Sequence, residues 1–391
     1  MLIKLIKKVV LVLFIIGLCS CGNTDKPQVD LSKLPDDIGQ AGDGQLKSKL
    51  EAVRLAYNIP AVAAMTIKGG EILEMDVAGF RDANQFDEVT IHDRWHIGSL
   101  TKSMTATVAA KLVEQNLISF QSTVSEIFPE LVGEINPIYE DVTLANLLLS
   151  TSGLQRDLPG SWDDEWKNRS DSLIEQRQDW TKRMLNTQPE TERGKHLYSN
   201  AGYTIAGHML ERVSGLAWET LIQDELFSPL SMNNTGFGPP NFDQSIGQVS
   251  GHYFSNGRWI ARKPSDGVHI PFVMGPAGTV NADLASLANY LVAHLNGAQG
   301  SSNIISSNSY QILHQAVDAD YAMGWGSFDV DWSSGKILTH GGSNSFWLAE
   351  WMIAPEEDFA VMVIFNATGE NVTQAQGKLL AILVDRYAAT L

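Results

Sequence analysis

Strand-like sequence lies at both ends of the folded part of this chain, and the long stretch between reads mostly as helix. "AVAAMTIKGGEILEMDVAGF" (61 to 80) places two apolar runs around Gly69 and Gly70, a strong hairpin signal. "KILTHGG" (336 to 342), "FWLAEWMIA" (346 to 354) and "FAVMVIFNA" (359 to 367) read as three consecutive strands, with "PEED" (355 to 358) as the turn between the last two. Strands need partners, so the two ends are expected to meet in one antiparallel sheet.

Helices are expected on both flanks of that sheet. "GQLKSKLEAVRLAYN" (44 to 58) spaces Leu46, Leu50, Val53 and Leu55 helically before Pro60, and residues 371 to 388 carry Leu379, Leu380, Ile382, Leu383 and Val384 on one broad face. Between the strand-rich ends, "LANLLLS" (144 to 150), "SLIEQRQDWTKRML" (172 to 185), "AGYTIAGHMLERVSG" (201 to 215) and "AWETLIQDELF" (217 to 227) are amphipathic. The expected fold class is therefore α+β: an antiparallel sheet flanked by N- and C-terminal helices, with an all-helical region inserted. The sheet part takes in about 44–120 and 275–391, and the mostly helical insertion about 121–274.

The N-terminus is a targeting segment. Lys4, Lys7 and Lys8 precede the apolar run "VVLVLFIIGL" (9 to 18), which at ten residues is shorter than the roughly 20 that a bilayer-spanning helix needs. The following Leu18, Cys19, Ser20 and Cys21 resemble a bacterial lipobox, so residues 1–20 are expected to leave as a signal peptide. Cys21 then becomes the lipidated first residue, followed by a polar tether over 21–43 and the catalytic domain over 44–391. These features imply an exported, membrane-anchored lipoprotein on the periplasmic side. With 28 basic against 45 acidic residues, the chain is a poor partner for nucleic acid.

Three stretches carry chemistry. In "HIGSLTKSMTA" (96 to 106), Ser99 and Lys102 sit three residues apart at the start of an expected helix, which puts their Cβ atoms roughly 5–6 Å apart. A hydroxyl needs a neighbouring base to attack a carbonyl, and a lysine qualifies only where burial keeps its amine neutral. The run "MTATVAAKLV" (104 to 113) behind the pair is apolar enough for that. "LYSNAGY" (197 to 203) adds Tyr198, whose phenol could relay a proton and whose pKa a neighbouring lysine cation would lower, and Asn200. "THGGSNS" (339 to 345) adds a histidine and two glycines at a strand end.

Ser-x-x-Lys, Tyr-x-Asn and His-x-Gly in this order resemble the serine beta-lactamase and penicillin-binding-protein superfamily. The branch is that of class C beta-lactamases, D-alanyl-D-alanine carboxypeptidases, D-aminopeptidases and related esterases. "LLLSTSGL" (147 to 154), "ERVSGLAWETLIQDELFSPLSMNNTGF" (211 to 237), "GPAGTVNADLASLANYL" (275 to 291) and "YAMGWGSF" (321 to 328) extend the similarity. The resemblance implies Ser99 as acylated nucleophile, Lys102 as its base partner and Tyr198 as proton shuttle. Asn200 would bind the acyl side of a substrate, and His340 would polarise the site from across the cleft. His340, Gly341 and Gly342 stand where most lactamases have Lys-Thr-Gly, and the backbone N–H groups of Ser99 and Ser343 would form the oxyanion hole. Whether Lys102 or Tyr198 takes the first proton stays open at this level.

The implied activity is a serine hydrolase acting through an acyl-enzyme on a small-molecule ester, amide or peptide, without cofactor or metal. Beta-lactamase or carboxypeptidase activity is the alternative, made weaker by a histidine and a glycine in place of the lysine and threonine. An inactive binding or sensor module of the same fold is the alternative of another class. Ser150 replaces a histidine common among relatives. "HGG" as an alpha/beta-hydrolase oxyanion motif needs a downstream Gly-x-Ser-x-Gly, and none follows. His92 and His96 have metal-like spacing but read as surface or core histidines, and Trp347 and Trp351 as sheet packing. The sequence leaves the acyl and leaving groups and the oligomeric state open.

Overall fold

The structure is a computed structural model. It describes residues 26–391 except 243–247, 264–265, 268, 302–303, 318, 389 and 391, so the expected signal peptide and Cys21 lie outside the described residues.

The elements run α1 (Leu46–Ala56), β1 (Ala61–Lys68), β2 (Glu71–Gly79), β3 (Trp95–His96) and α2 (Thr101–Glu114). Next come α3 (Val124–Ile127), α4 (Leu144–Leu148), α5 (Asp164–Lys167), α6 (Leu173–Met184), α7 (Asn200–Ser214) and α8 (Trp218–Ile222). Three short strands follow, β4 (Thr235–Phe237), β5 (His252–Ser255) and β6 (Arg258–Ala261), then α9 (Gly275–Gly278), β7 (Val280–Ala282), α10 (Leu284–Ala298) and α11 (Ser307–His314). The chain closes with β8 (Gly326–Phe328), β9 (Ile337–Ser343), β10 (Leu348–Ala354), β11 (Phe359–Phe365) and α12 (Glu370–Ala388).

The two ends of the chain do meet. The main sheet has the order β2-β1-β11-β10-β9-β8, and Met65 of β1 pairs with Met362 of β11 in antiparallel register. Gly69 and Gly70 make the hairpin turn at φ +63° and +73°, the left-handed pair that a two-residue turn of right twist requires. Ala61, Ala63, Met65 and Ile67 face a core shared with α2 and α10. Val62 and Ala64 face a second core under α1 and α12. Burial on both faces is why β1 reads as a continuous apolar run rather than an alternating one.

The inserted region is not all helical. Strand β4 joins β7 and β3 in a small sheet, and β5 with β6 forms a hairpin. Its turn, Asn256 and Gly257, lies at φ +52° and +75°. An Asn-Gly pair between β-formers was a legible hairpin signal, outweighed by the helical segments around it. The stretch expected as a tether lies against the domain from Asp30 onward: Asp30 N–H donates to the Ala56 carbonyl at 2.7 Å, and Ala41 N–H to Arg386 at 2.9 Å. Buried Arg386 in turn holds Asp43 Oδ1 at 2.8 Å and Glu74 Oε2 at 2.7 Å.

Candidate active site

Ser99 is presented by a turn rather than by the helix proper. Strand β3 is fixed against β7, with Trp95 opposite Ala282 and His96 opposite Asn281. Gly98 then turns the chain at φ +53°, residues 98–100 make one tight turn, and α2 begins at Thr101. The Gly98 N–H donates to Nδ1 of His96 at 3.0 Å, and Thr101 Oγ1 donates to the Gly98 carbonyl at 2.7 Å. His96 is thus part of the turn, its imidazole driven down to about 3 by burial, while His92 is exposed. Among the described residues no group of three His, Cys, Asp or Glu side chains could hold a metal ion.

The edge of β9 is clamped onto this turn by missing side chains. A Cβ on Gly98 would fall 2.4 Å from the Ser343 nitrogen, and one on Gly342 would fall 2.0 Å from the Ile97 carbonyl oxygen and 3.1 Å from the Ser99 nitrogen. The amides of Ser99 and Ser343 are therefore brought to one place, the arrangement an oxyanion needs. From the other side, Gly324, at φ +81°, lies so close to α2 that a Cβ would fall 2.5 Å from Ser103 backbone. That contact is what the "YAMGWGSF" segment contributes.

Lys102 is fully buried. Its Nζ lies 3.0 Å from Ser99 Oγ, 2.7 Å from Asn200 Oδ1 and 2.6 Å from the Ala277 carbonyl oxygen. Burial takes its pKa well below the ordinary lysine value, with Asp157 opposing the shift and Arg156 adding to it. Carbonyl and amide oxygens only accept, so the two N–H bonds of a neutral amine go to Asn200 and Ala277 and the lone pair faces the Ser99 hydroxyl. The orientation of the Asn200 amide is set from its far side, where Nδ2 donates to Asp157 Oδ1 at 2.9 Å.

Tyr198 sits on the segment leading into α7. Ser150, held at φ +56°, accepts from the Leu197 N–H at its carbonyl, 2.8 Å, and from the Ser199 N–H at Oγ, 3.4 Å. Ser150 therefore clips the residues on both sides of Tyr198. The ring lies 4.9 Å from Lys102 Nζ, with Arg156 at 5.6 Å, and Ser99 hydrogen-bonds to the phenol. The expected lowering of its pKa is not found. Burial pushes the phenol upward, against the Ser99 bond and the Arg156 charge, because a desolvated lysine supplies little cationic charge to oppose it.

His340 is buried behind this cluster, its ring 6.0 Å from that of Tyr198. Nδ1 donates to the Gly341 carbonyl at 2.6 Å, the only role a carbonyl partner permits, so the neutral tautomer has Nε2 as acceptor toward Tyr321 OH, 3.4 Å away. Burial, the largest cause, brings the imidazole down to about 3. At neutral pH it is therefore a dipole and not a cation.

The structure thus gathers Ser99, Lys102, Tyr198, Asn200, His340 and the Gly341–Ser343 edge around one hydroxyl. Sequence reading missed Asp157, Tyr321 and the Ala277 carbonyl. Tyr321 lay in a quoted segment, whereas a backbone oxygen leaves no residue-type signal. Trp351 stacks on Trp325, and Trp347 meets Trp95 edge to face, so both tryptophans are packing residues.

A model of the Beta-lactamase family matches residues 45–386. Protein flp of Staphylococcus aureus (strain MW2) is 20% identical over 319 residues, 81% of this chain but 61% of the relative, so the chain spans about three fifths of that protein's length. Penicillin-binding protein 4 of Amycolatopsis lactamdurans is 23% identical over 82% of this chain and 84% of its own. The octameric penicillin-binding protein homologue from Pyrococcus abyssi superposes with a TM-score of 0.70 at 23% identity, over 86% of this chain and 77% of that one, a likeness of fold.

Proposed function

The chain belongs to the beta-lactamase family, and from that premise we propose that it is a serine hydrolase working through a covalent acyl-enzyme on an ester or amide, of the esterase or D-amino-acid peptidase type. The observation that carries this reading is the desolvated Lys102 amine beside Ser99 Oγ, its other hydrogen-bonding positions taken by Asn200 and Ala277.

Ser99 Oγ attacks the substrate carbonyl while its proton passes to the Lys102 lone pair. The carbonyl oxygen, now negative, is held by the Ser99 and Ser343 amides, a device worth roughly 2.7–4 kcal/mol per donor. Tyr198, kept protonated by burial, passes its proton to the leaving group and is reprotonated from Lys102. Water then enters by the same relay run backwards and releases the acid. The upward shift of Tyr198 and the downward shift of Lys102 favour Lys102 as first base.

Neutral His340 and side-chain-free Gly341 offer neither the cation nor the hydroxyl that would hold a lactam carboxylate, which weighs against efficient beta-lactam hydrolysis. A fluorophosphonate probe should place one covalent label on the folded protein and none on Ser99→Ala. Absence of labelling by both this probe and a beta-lactam would leave the binding-module reading in its place. The same proposal puts the enzyme on the periplasmic side of a bacterial membrane through a lipid on Cys21. Retention of Cys21→Ser on membranes would refute that part alone.

A further inference from the structure

Thr101, the residue before Lys102, is fully buried, and its hydroxyl has no part in the proton relay proposed above. Two backbone groups fix the direction of that hydroxyl. The Val280 nitrogen lies 3.2 Å from Thr101 Oγ1, and the Gly98 carbonyl oxygen lies 2.7 Å from it. An amide N–H only donates and a carbonyl oxygen only accepts, so Thr101 receives from Val280 and its own proton is committed to Gly98.

The Gly98 carbonyl and the Ser99 N–H belong to one peptide group. A hydrogen bond accepted at the oxygen draws electron density from the nitrogen through the amide resonance, which makes the N–H a better donor. The bonds run head to tail, from the Val280 N–H through the Thr101 hydroxyl to the Gly98–Ser99 peptide, and the last donor is the amide assigned to the oxyanion. Each bond in such a chain is strengthened by about 10–30%. The backbone N–H of Thr101 also closes on the Gly98 carbonyl, so one residue gives that oxygen two donors and holds the peptide plane.

The same segment that steers Thr101 also steers the base. Val280 lies three residues beyond Ala277, whose carbonyl oxygen holds the Lys102 amine at 2.6 Å. Thr105, one turn further along α2, donates to the Pro276 carbonyl at 2.8 Å. Residues 276 to 280 thus grip α2 at three side chains, and two of those contacts lead to the reacting atoms by separate routes.

We propose that Thr101 is a positioning residue of the oxyanion hole, its hydroxyl polarising and aiming the Ser99 amide. The inference rests on the hydrolase reading, in which that amide holds the substrate's carbonyl oxygen. Thr101 itself meets no substrate and gives up no proton.

The fluorophosphonate adduct of Ser99 tests this, because its P=O oxygen takes the place of the oxyanion and its phosphorus NMR resonance responds to hydrogen bonds there. In the parent the resonance should be displaced from that of the same adduct unfolded in urea. Thr101→Val keeps the shape and removes the hydroxyl. It should lose about a fifth of that displacement and label about tenfold more slowly, short of the roughly hundredfold or more that a whole oxyanion donor carries. Thr101→Ser, which keeps the hydroxyl, should return both to near the parental values. If Thr101→Val does not fold, Thr101→Ala is read in the same way. A beta-lactam adduct, read by its ester carbonyl infrared band, serves where the phosphonate does not label. No displacement in the parent, or a full parental displacement in the folded variant that lacks the hydroxyl, overturns the inference while leaving the hydrolase reading standing. Failure of the parent to label with either probe overturns both.

Discussion

The fully buried Lys102 amine lies 3.0 Å from Ser99 Oγ, and the depressed pKa that makes it a base has a cost in stability. In the native state the amine sheds its proton well below 10.5, whereas the unfolded chain keeps it up to about 10.4. Between those values the unfolded state binds one proton more, so stability rises with pH, by up to about 1.4 kcal/mol per unit from this group, and flattens above the unfolded value. Denaturant unfolding of the parent between pH 7 and 9 should show that rise. Lys102→Ala should lose most of the slope together with acylation, and a slope retained in the variant would mean that Lys102 is charged in the fold.

Asp157 fixes which atom of Asn200 faces Lys102, because its carboxylate accepts from Nδ2 at 2.9 Å. Without that acceptor the amide can turn its NH2 toward the lysine and remove an acceptor from it. A hydrogen bond to a charged group is worth about 1.5–3 kcal/mol, so Asp157→Ala should lower the acylation rate roughly ten- to a hundredfold. Asp157→Asn keeps an acceptor oxygen and should recover most of it. Equal loss in both variants would point to the charge of Asp157 rather than its hydrogen bond.

Two adjacent glycines should respond oppositely to the same methyl. Gly341→Ala adds a Cβ into open space, and Gly342→Ala adds one 2.0 Å from the Ile97 carbonyl oxygen. The first should change unfolding stability by less than about 0.5 kcal/mol, as ordinary uncrowded substitutions do. The second must move β9 off the Ser99 turn, costing about 1–3 kcal/mol as an overpacked core does and separating the Ser99 and Ser343 amides. Fluorophosphonate labelling should then slow in Gly342→Ala at temperatures where it remains folded.

The parts of the molecule that announced themselves in the sequence are those governed by local pattern. The Gly69–Gly70 hairpin, α1, α12 and strands β9 to β11 follow from turn chemistry and apolar spacing, and the pairing of Met65 with Met362 follows once both ends need partners. The Ser99–Lys102 spacing likewise placed two side chains in reach. The charge states were not legible, because they depend on burial supplied by distant segments. Tyr198 is raised instead of lowered since the lysine beside it is itself desolvated. Nor were Asp157 and Ala277, which reach Lys102 through a rotatable amide and a backbone oxygen that no residue type advertises.

Behind the site, Arg177 of α6 ties together the elements that carry the Lys102 partners. Its buried guanidinium holds Glu211 of α7 and Glu219 of α8, and it donates to the carbonyls of Val273 and Phe272 at 3.0 Å each, in the segment leading to Ala277. Glu211 also accepts from His208 and from the Trp218 N–H, both at 2.9 Å. Burial opposes the charge of Glu211, but the His208 bond and the Arg177 charge outweigh it and hold the carboxyl below its ordinary value. Its contribution to stability is therefore fully present above about 4.3 and is lost as pH falls through the lower native value. Arg177→Met should cost about 3–5 kcal/mol at pH 7, since it strands Glu211 without its cation. Arg177→Lys should rescue little, because one ammonium cannot serve two carboxylates and two carbonyls in that planar geometry. Pairing Arg177→Met with Glu211→Gln should recover part of the loss and remove the Glu211 part of the acid limb, so that stability at pH 7 and pH 3 differs less than in the parent. Urea unfolding of the single and double variants at both pH values measures this, and purely additive losses would show that the two residues are not coupled.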